Sequence, residues 1–269
     1  MKIMETVDNS SKVIKTFDEW QDSCRKKMLK RYKQKQEGEV TFQKQWNDTN
    51  KSSPLMAKYW LTNGIDTIFE KYFTEIIGNP IYLDTGIPEY EAKFDCYKNP
   101  RQHDLFIYTS DKKTLISIEA KSKESWKWKE YKTFKQEYGD AKNDKKLRCD
   151  KLLDVYFLNN EDINDIIYQI LTWFAGSLAD AINCNSENII MILQQFYFET
   201  VDINQKKDNF DEYIKFIKIL EDKPVFKKCQ NICRNWDNTI YSTGPIMNKY
   251  TKDKKLYLLF LLCKQNNVV

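Results

Sequence analysis

Three side chains, Asp104, Glu119 and Lys121, have the types and spacing that metal-assisted hydrolysis needs. They lie in the stretch QHDLFIYTSDKKTLISIEAKSKESW, residues 102–126, where two runs rich in branched and aromatic residues flank a polar turn. Read as a hairpin, the stretch predicts strands over 104–109 and 114–120 with a turn over Ser110 to Lys113. Side chains alternate along a strand, so Ile116, Ile118 and Ala120 share one face and Ser117, Glu119 and Lys121 share the other. The first set suits packing against a helix. The second sets a carboxylate beside an ammonium, and the turn brings Asp104 next to the same carboxylate.

Oxygen donors from Asp104, Glu119 and the backbone carbonyl of Ala120 suit a hard cation, Mg²⁺ or Mn²⁺. Such an ion polarises a phosphate and lowers the pKa of a bound water. Lys121 could orient or deprotonate that water and stabilise charge developing on the phosphate. The preceding segment IPEYEAKF reads as a strand and offers a third acid, Glu91 or Glu89, which point to one side together with Lys93. His103 adjoins Asp104, but alternation turns it to the opposite face, where a structural role is expected. A solvated strand face would carry the same Glu-x-Lys triplet. Against that stand the strongly apolar run before Glu119 and the acids arrayed across the turn.

The elements that must position these groups follow from periodicity. Residues 1 to about 50 are polar and basic, with Trp20, Cys24, Met28 and Tyr32 at helical spacing. After Pro54, Gly64 and Gly78 punctuate helical segments, and Ile65, Ile68, Phe69, Tyr72 and Phe73 make one apolar face. Beyond the hairpin, KKLRCDKLLDVYFL reads as helical. The clearest helix is expected over Glu161 to Ala181, with Ile163, Ile166, Ile167, Ile170, Leu171, Phe174 and Leu178 as its apolar stripe. Gln169 lies off that stripe, in line with Trp173 and Gly176. There it could hydrogen-bond a metal water, Lys121 or a phosphate; a solvent-facing glutamine fits the same position. NIIMILQQFYF reads as a buried strand, residues 209 to 220 as an amphipathic helix, and KKLYLLFLLCK as a final buried strand. The order helix, three strands, helix, strand predicts an α/β fold with a central mixed β-sheet flanked by helices.

At 269 residues the chain is long enough for one large domain or two small ones. With 41% hydrophobic and 30% charged residues its composition is that of a globular protein rather than a membrane protein or a disordered one. Neither a bilayer-length apolar run nor a signal-peptide core is present, so a cytoplasmic location and no membrane partner are expected. Seven cysteines at irregular spacing and a single histidine argue against a structural zinc site. Net charge is only +4, but the bases cluster. Seven Lys or Arg and no acid fall between Ser23 and Gln36, and six Lys against two Glu between Lys121 and Lys135. These stretches suit a polyanion, because neutralising phosphates releases counterions. They are equally what a solvated helix face would show.

The pairing of Asp104 with Glu119-Ala120-Lys121 resembles the PD-(D/E)XK, or restriction-endonuclease-like, nuclease superfamily, whose core runs helix, three strands, helix, strand. More narrowly it is similar to a small uncharacterised bacterial family within it. That family's pattern has a Ser-Gln-x-Asp turn, a strand ending in Glu-Gly-Lys, an Arg-x-x-x-Leu helix, a Tyr-Gln-Leu-Leu helix and a later strand. Gln102 and Asp104 match the turn, Glu119 and Lys121 the triplet, Arg148 and Leu152 the charged helix, Tyr168 and Gln169 the long helix, and MILQQF the strand. The likeness covers about residues 85 to 220. Arg101 stands where that family often has Ser, and Ala120 replaces Gly.

With the resemblance, a nuclease domain is expected over 51–269; the basic helical extension over 1–50 lies outside the likeness, and its phosphate contacts are read from charge clustering alone. The resemblance implies a Mg²⁺- or Mn²⁺-dependent nuclease acting on nucleic acid, with DNA favoured, in defence or restriction. Asp104, Glu119, Lys121 and Gln169 would be catalytic, with Glu91 and the Ala120 carbonyl joining Asp104 and Glu119 on the metal. Arg25, Lys26, Lys27, Lys30, Arg31, Lys123 and Arg148 would meet phosphates, and Trp126 or Trp128 would stack on bases. Many nucleases of this class pair to cut two strands, which leaves a homodimer open. The alternative is an inactive nucleic-acid-binding or protein-interaction module on the same scaffold.

Overall fold

The computed structural model describes residues 17–29, 35–48, 51–63, 68–197, 203–233 and 236–265. Four helices come first: α1 (Phe17–Leu29), α2 (Lys35–Trp46), α3 (Ser52–Asn63) and α4 (Ile68–Ile77). Gly78 ends α4 with φ of +80°, a left-handed position where glycine carries no Cβ penalty. Strands β1 (Leu83–Ala92), β2 (Arg101–Thr109) and β3 (Thr114–Lys121) follow, then helices α5 (Phe134–Asp140), α6 (Asp144–Lys151) and α7 (Tyr168–Asn183). The chain closes with β4 (Asn188–Tyr197), α8 (Ile203–Leu220), β5 (Phe226–Cys233), β6 (Trp236–Thr243) and β7 (Lys255–Gln265).

Among the described residues, seven strands form one sheet in the order β1-β2-β3-β4-β7-β6-β5. β3 with β4 and β4 with β7 are parallel, and the other neighbours are antiparallel. The fold is therefore α/β, a mixed and mostly antiparallel sheet flanked by helices. The three central strands are near-continuous apolar runs because both their faces are covered. Phe106, Leu115, Met191, Leu193, Leu258 and Phe260 meet Trp173, Phe174, Tyr213 and Phe216 of α7 and α8 in one buried cluster. Leu105, Ile107, Ile116, Ile118, Ile190, Ile192 and Leu259 share a second cluster with Trp20, Phe42, Trp60 and Phe73 of the first four helices. Trp20 and Cys24 of the expected stripe are buried in it; the Met28 side chain and Tyr32 lie outside the described residues. α1 and α2, within the expected basic extension, thus pack against the same sheet as the rest of the chain. Among the described residues, no helix is long and apolar enough to cross a membrane.

The long helix starts later than its apolar stripe predicts. Glu161–Asp165 is a 3₁₀ turn opened by the Asn160 side chain, which accepts from Asp162 N. Phe134 N then donates to Ile166 O and Tyr168 N to Lys132 O, as part of a bridge between Thr133 and Ile167. Those bonds hold Ile166 and Ile167 extended, so Ile163, Ile166 and Ile167 are buried from outside α7. α7 itself is buried on nearly every side from Ile170 to Ala181. Gly176 permits this: a Cβ there would sit 3.0 Å from both Ala92 Cβ and His103 Nε2.

Candidate functional site

The site forms where β2 and β3 part. Their ladder runs from Tyr108↔Leu115 to Leu105↔Ile118 and goes no further. Ala120 N–H, which lacks a strand partner there, donates instead to Asp104 Oδ2 at 2.7 Å. A side-chain carboxylate thus takes the place of a backbone carbonyl, and Asp104 is tied to the triplet that contains Glu119 and Lys121. β1 is irregular at the same level. Pro88 pairs with Leu105 and Tyr90 with His103, which leaves Glu89 opposite Asp104. Glu89 has φ of 53°, a left-handed conformation costing a non-glycine residue about 1–3 kcal/mol. Ser53 Oγ at the start of α3 donates to its Oε1 at 3.3 Å.

β3 alternates as its pattern predicts. Ile116, Ile118 and Ala120 lie in the cluster under the first helices, while Ser117 and Glu119 are bonded by α7. Trp173 Nε1 donates to Ser117 Oγ at 2.5 Å and Gln169 Nε2 to Glu119 Oε1 at 2.6 Å. Lys121 Nζ donates to Glu119 Oε1 at 2.9 Å. The other carboxylate oxygen, Oε2, accepts from Nη2 of Arg101 at the head of β2. Glu119, 2% exposed, therefore carries three donors from three elements. Gln169 does not face solvent: its amide oxygen accepts from Trp126 Nε1 at 2.9 Å, which fixes the amide with its NH₂ toward Glu119.

Electrostatics separates the two acids. Burial raises the pKa of the Asp104 carboxyl well above its usual range, and the charges of Glu119 and Glu89 push it the same way; Lys121 and the Ala120 N–H oppose them. For Glu119, burial also pushes upward, but Arg101 and Lys121 together outweigh it and hold the group below the ordinary carboxylate value. Lys121 is held protonated. Burial alone would lower its pKa, yet Glu119, Tyr131 and Asp104 carry it above that of a free lysine. Its Nζ also sits 5.6 Å from the Trp126 ring and 5.2 Å from that of Tyr131. A cation so held is suited to orienting a group and to stabilising negative charge. His103 packs inside the fold. Its place differs from the expected opposite face: it is buried on the α7 side beside Gly176, bonded through Nδ1 to Ser117 Oγ at 3.1 Å, and its pKa is depressed by burial and by Arg101.

Other sequence expectations meet the structure less well. Of the two candidate third acids, Glu91 is exposed and pairs with Gln102, whereas Glu89 acts on Asp104. Trp126 is fully buried and cannot stack on a base; Trp128 is 39% exposed. Arg148, expected at a phosphate, lies in the interior. It is buried, with Nε and Nη2 on Asp95 at 2.5 and 2.9 Å, Nη2 on Asn99 O at 2.9 Å, and its guanidinium over Phe94 and Tyr97. It pins the 94–99 loop. Arg25 is engaged by Glu39 at 2.8 Å. Lys26 and Lys123 are exposed and available to a phosphate; the Lys27 side chain, Lys30 and Arg31 lie outside the described residues.

Pattern reading missed a buried polar relay that holds the chain after Lys121. Gln195 Nε2 donates to Ser122 O at 2.7 Å, and Asn209 Nδ2 donates to Gln195 Oε1 at 2.7 Å and to Glu124 O at 2.8 Å. Asn209 Oδ1 accepts from Trp126 N at 2.7 Å. The signal was two glutamines closing an otherwise apolar strand. Beside Glu89 opens a cavity of about 240 Å³ lined by Phe42, Trp46, Lys51, Ser53 and Glu124.

The family model described as "Domain of unknown function (DUF6946)" matches residues 28–261. The chain belongs to this family. No curated protein and no solved structure matches it. The match begins inside α1 and ends inside β7, so the DUF6946 domain takes in six strands, most of the seventh and the whole of the Asp104–Glu119–Lys121 site.

Proposed function

We propose that this DUF6946 protein is a metal-dependent phosphodiesterase acting on nucleic acid, most readily DNA, on a restriction-endonuclease-like core. One observation carries the reading: Asp104, Glu119 and Lys121, apart in sequence, converge where β2 and β3 separate, with Gln169 of the following helix bonded to the same carboxylate. The element order α4, β1, β2, β3, α7, β4 agrees with it.

The residues fit a hard divalent cation. Asp104 sits half-buried against Glu119 and Glu89, whose repulsion raises its affinity for a proton, and a dication would relieve the same repulsion. Among the described residues no group of three or more His, Cys, Asp or Glu stands ready to hold an ion. Mg²⁺ commonly takes only one or two carboxylates and completes its shell with water and substrate oxygens. Asp104, Glu119 and the Ala120 carbonyl would hold it, and when bound it supplies Lewis-acid polarisation of the phosphoryl oxygen. Lys121, kept protonated, stabilises charge accumulating on the phosphate. Gln169 and Trp126 keep Glu119 aimed, and exposed Lys123 and Lys26 offer phosphate contacts.

The test is cleavage of plasmid, linear duplex, single-stranded DNA and RNA by the full chain with Mg²⁺ or Mn²⁺. Wild type should cut at least one of these, and Asp104→Asn and Lys121→Met should fall by roughly 10²–10³ or more while remaining folded. Failure of wild type on every substrate, or equal cleavage by the variants, rejects the proposal. The Arg101–Glu119 pair favours a second reading, a nucleic-acid-binding module whose acid is neutralised for good. That reading expects DNA retention in gel shifts without cleavage under any divalent ion.

A further inference from the structure

Arg101 stands apart from the other cations of the site. It opens β2, its side chain is 13% exposed, and it holds Glu119 Oε2 through Nη2 alone. Its Nε is buried with no hydrogen-bond partner among the described residues. A guanidinium kept only as a structural tie normally satisfies its buried donors, as Arg148 does with Asp95 and Asn99. Arg101 uses one corner of a planar fork built for two-point contact with a carboxylate or phosphate.

The oxygen it occupies matters. Glu119 Oε1 already takes both Lys121 and Gln169. Any cation approaching Glu119 must therefore use Oε2, where Arg101 sits. Two positive charges sharing one carboxylate oxygen repel, and in a buried setting that repulsion is weakly screened. We propose that Arg101 is a cation latch: its guanidinium and a divalent metal ion compete for Glu119 Oε2, and metal entry turns the arginine out toward the anionic phosphodiester. The latch rests on the metal-dependent reading above. It makes metal and substrate cooperative, because the phosphodiester offers the displaced guanidinium a new two-point partner. A carboxylate with no metal meanwhile stays neutralised in the core.

The experiment is a Mn²⁺ titration of the full chain by calorimetry, with wild type, Arg101→Gln and Asp104→Asn at one pH. Thermal unfolding with and without Mn²⁺ runs in parallel. The latch expects Arg101→Gln to bind Mn²⁺ about tenfold or more tighter than wild type, a usual size for coupling between competing ligands. It also expects a lower metal-free Tm for that variant, regained when Mn²⁺ saturates. Should Arg101→Gln not fold, Arg101→Met, which removes the charge but keeps an unbranched stem, must still bind Mn²⁺ more tightly than wild type. Equal or weaker Mn²⁺ binding by the folded variant overturns the latch and leaves the nuclease reading standing. If neither wild type nor Arg101→Gln binds Mn²⁺ better than Asp104→Asn does, the metal site and the latch fall together.

Discussion

Asp180 gives this protein a pH-dependent stability that one substitution should remove. It lies on α7, 7% exposed, and its Oδ1 accepts from Tyr90 Oη at 3.3 Å while Oδ2 has no hydrogen-bond partner among the described residues. The titratable groups interacting with it are Tyr90 of β1, Tyr108 of β2 and Tyr156, all held neutral near pH 7 by burial. Burial pushes its pKa up to about 7, with the Tyr90 hydroxyl pulling weakly the other way. In the unfolded chain an Asp titrates near ~3.9. Below about pH 4 the group is protonated in both states and costs nothing. Between about 4 and 7 the unfolded chain releases the proton and the folded one keeps it, so stability falls as pH rises, and the loss is complete above about 7.

A shift of about three units corresponds to roughly 4 kcal/mol at pH 8, with roughly 2–3 kcal/mol of it arising between pH 5 and 8. Asp180→Asn keeps the shape and the Tyr90 bond and never ionises. Urea unfolding followed by tryptophan fluorescence, at unit steps from pH 5 to 8, should show the variant gaining on wild type by that amount. Subtracting one curve from the other cancels the titration of every other group. A difference that stays constant across that range would show that Asp180 ionises freely in the folded protein, and the reasoning from its burial fails.

Two further substitutions probe how the site is held. Gly176→Ala puts a Cβ 3.0 Å from Ala92 Cβ and His103 Nε2, and overpacking of about 1–3 kcal/mol should outweigh a helix-propensity gain of about 1; a lower Tm checks it, and a raised one means that β1 and β2 yield to α7. Arg148→Ala strands Asp95 in a nearly dry setting and should cost about 3–5 kcal/mol, and if the protein binds DNA as proposed, gel shifts of the folded fraction should be unchanged. A stable Arg148→Ala protein that has selectively lost DNA binding would restore Arg148 to the phosphate contacts.

What pattern could read was geometry local to one element. Alternation along β3 sorted Ile116, Ile118 and Ala120 from Ser117, Glu119 and Lys121, and the apolar runs of β4 and β7 marked strands covered on both faces. What it could not read was pairing between distant residues. Arg148 and Trp126 have the residue types of a nucleic-acid surface, and only their partners, Asp95 and Gln169, reveal that they are buried. The start of α7 was misplaced for the same reason, since backbone bonds from Lys132 and Phe134 hold the preceding residues straight. The β5–β6 hairpin escaped because FKKCQNIC and WDNTIYST are polar stretches at a sheet edge without clean alternation. Arg101 was visible as a residue, but its grip on Glu119 depends on where β2 begins.

The cluster around Glu119 is an expensive way to hold two strands and a helix together. Desolvating a carboxylate and two cations costs several kcal/mol per ion, and the mutual attraction of such a group often does no more than break even against well-packed apolar side chains of similar volume. This chain has apolar side chains in plenty on the same strand: Leu115, Ile116 and Ile118 are fully buried. Charge is therefore confined to the end of β3 where the ladder with β2 stops, Ala120 N–H is caught by a side chain, and Glu89 adopts a left-handed backbone. Strain, unpaired strand ends and buried charge coincide at one point, and stability alone explains none of the three. The metal site proposed above, presenting oxygen donors and a fixed ammonium to a ligand, would account for them together, and Mn²⁺ binding by wild type against Asp104→Asn is the measurement that most directly separates a working site from an inert one.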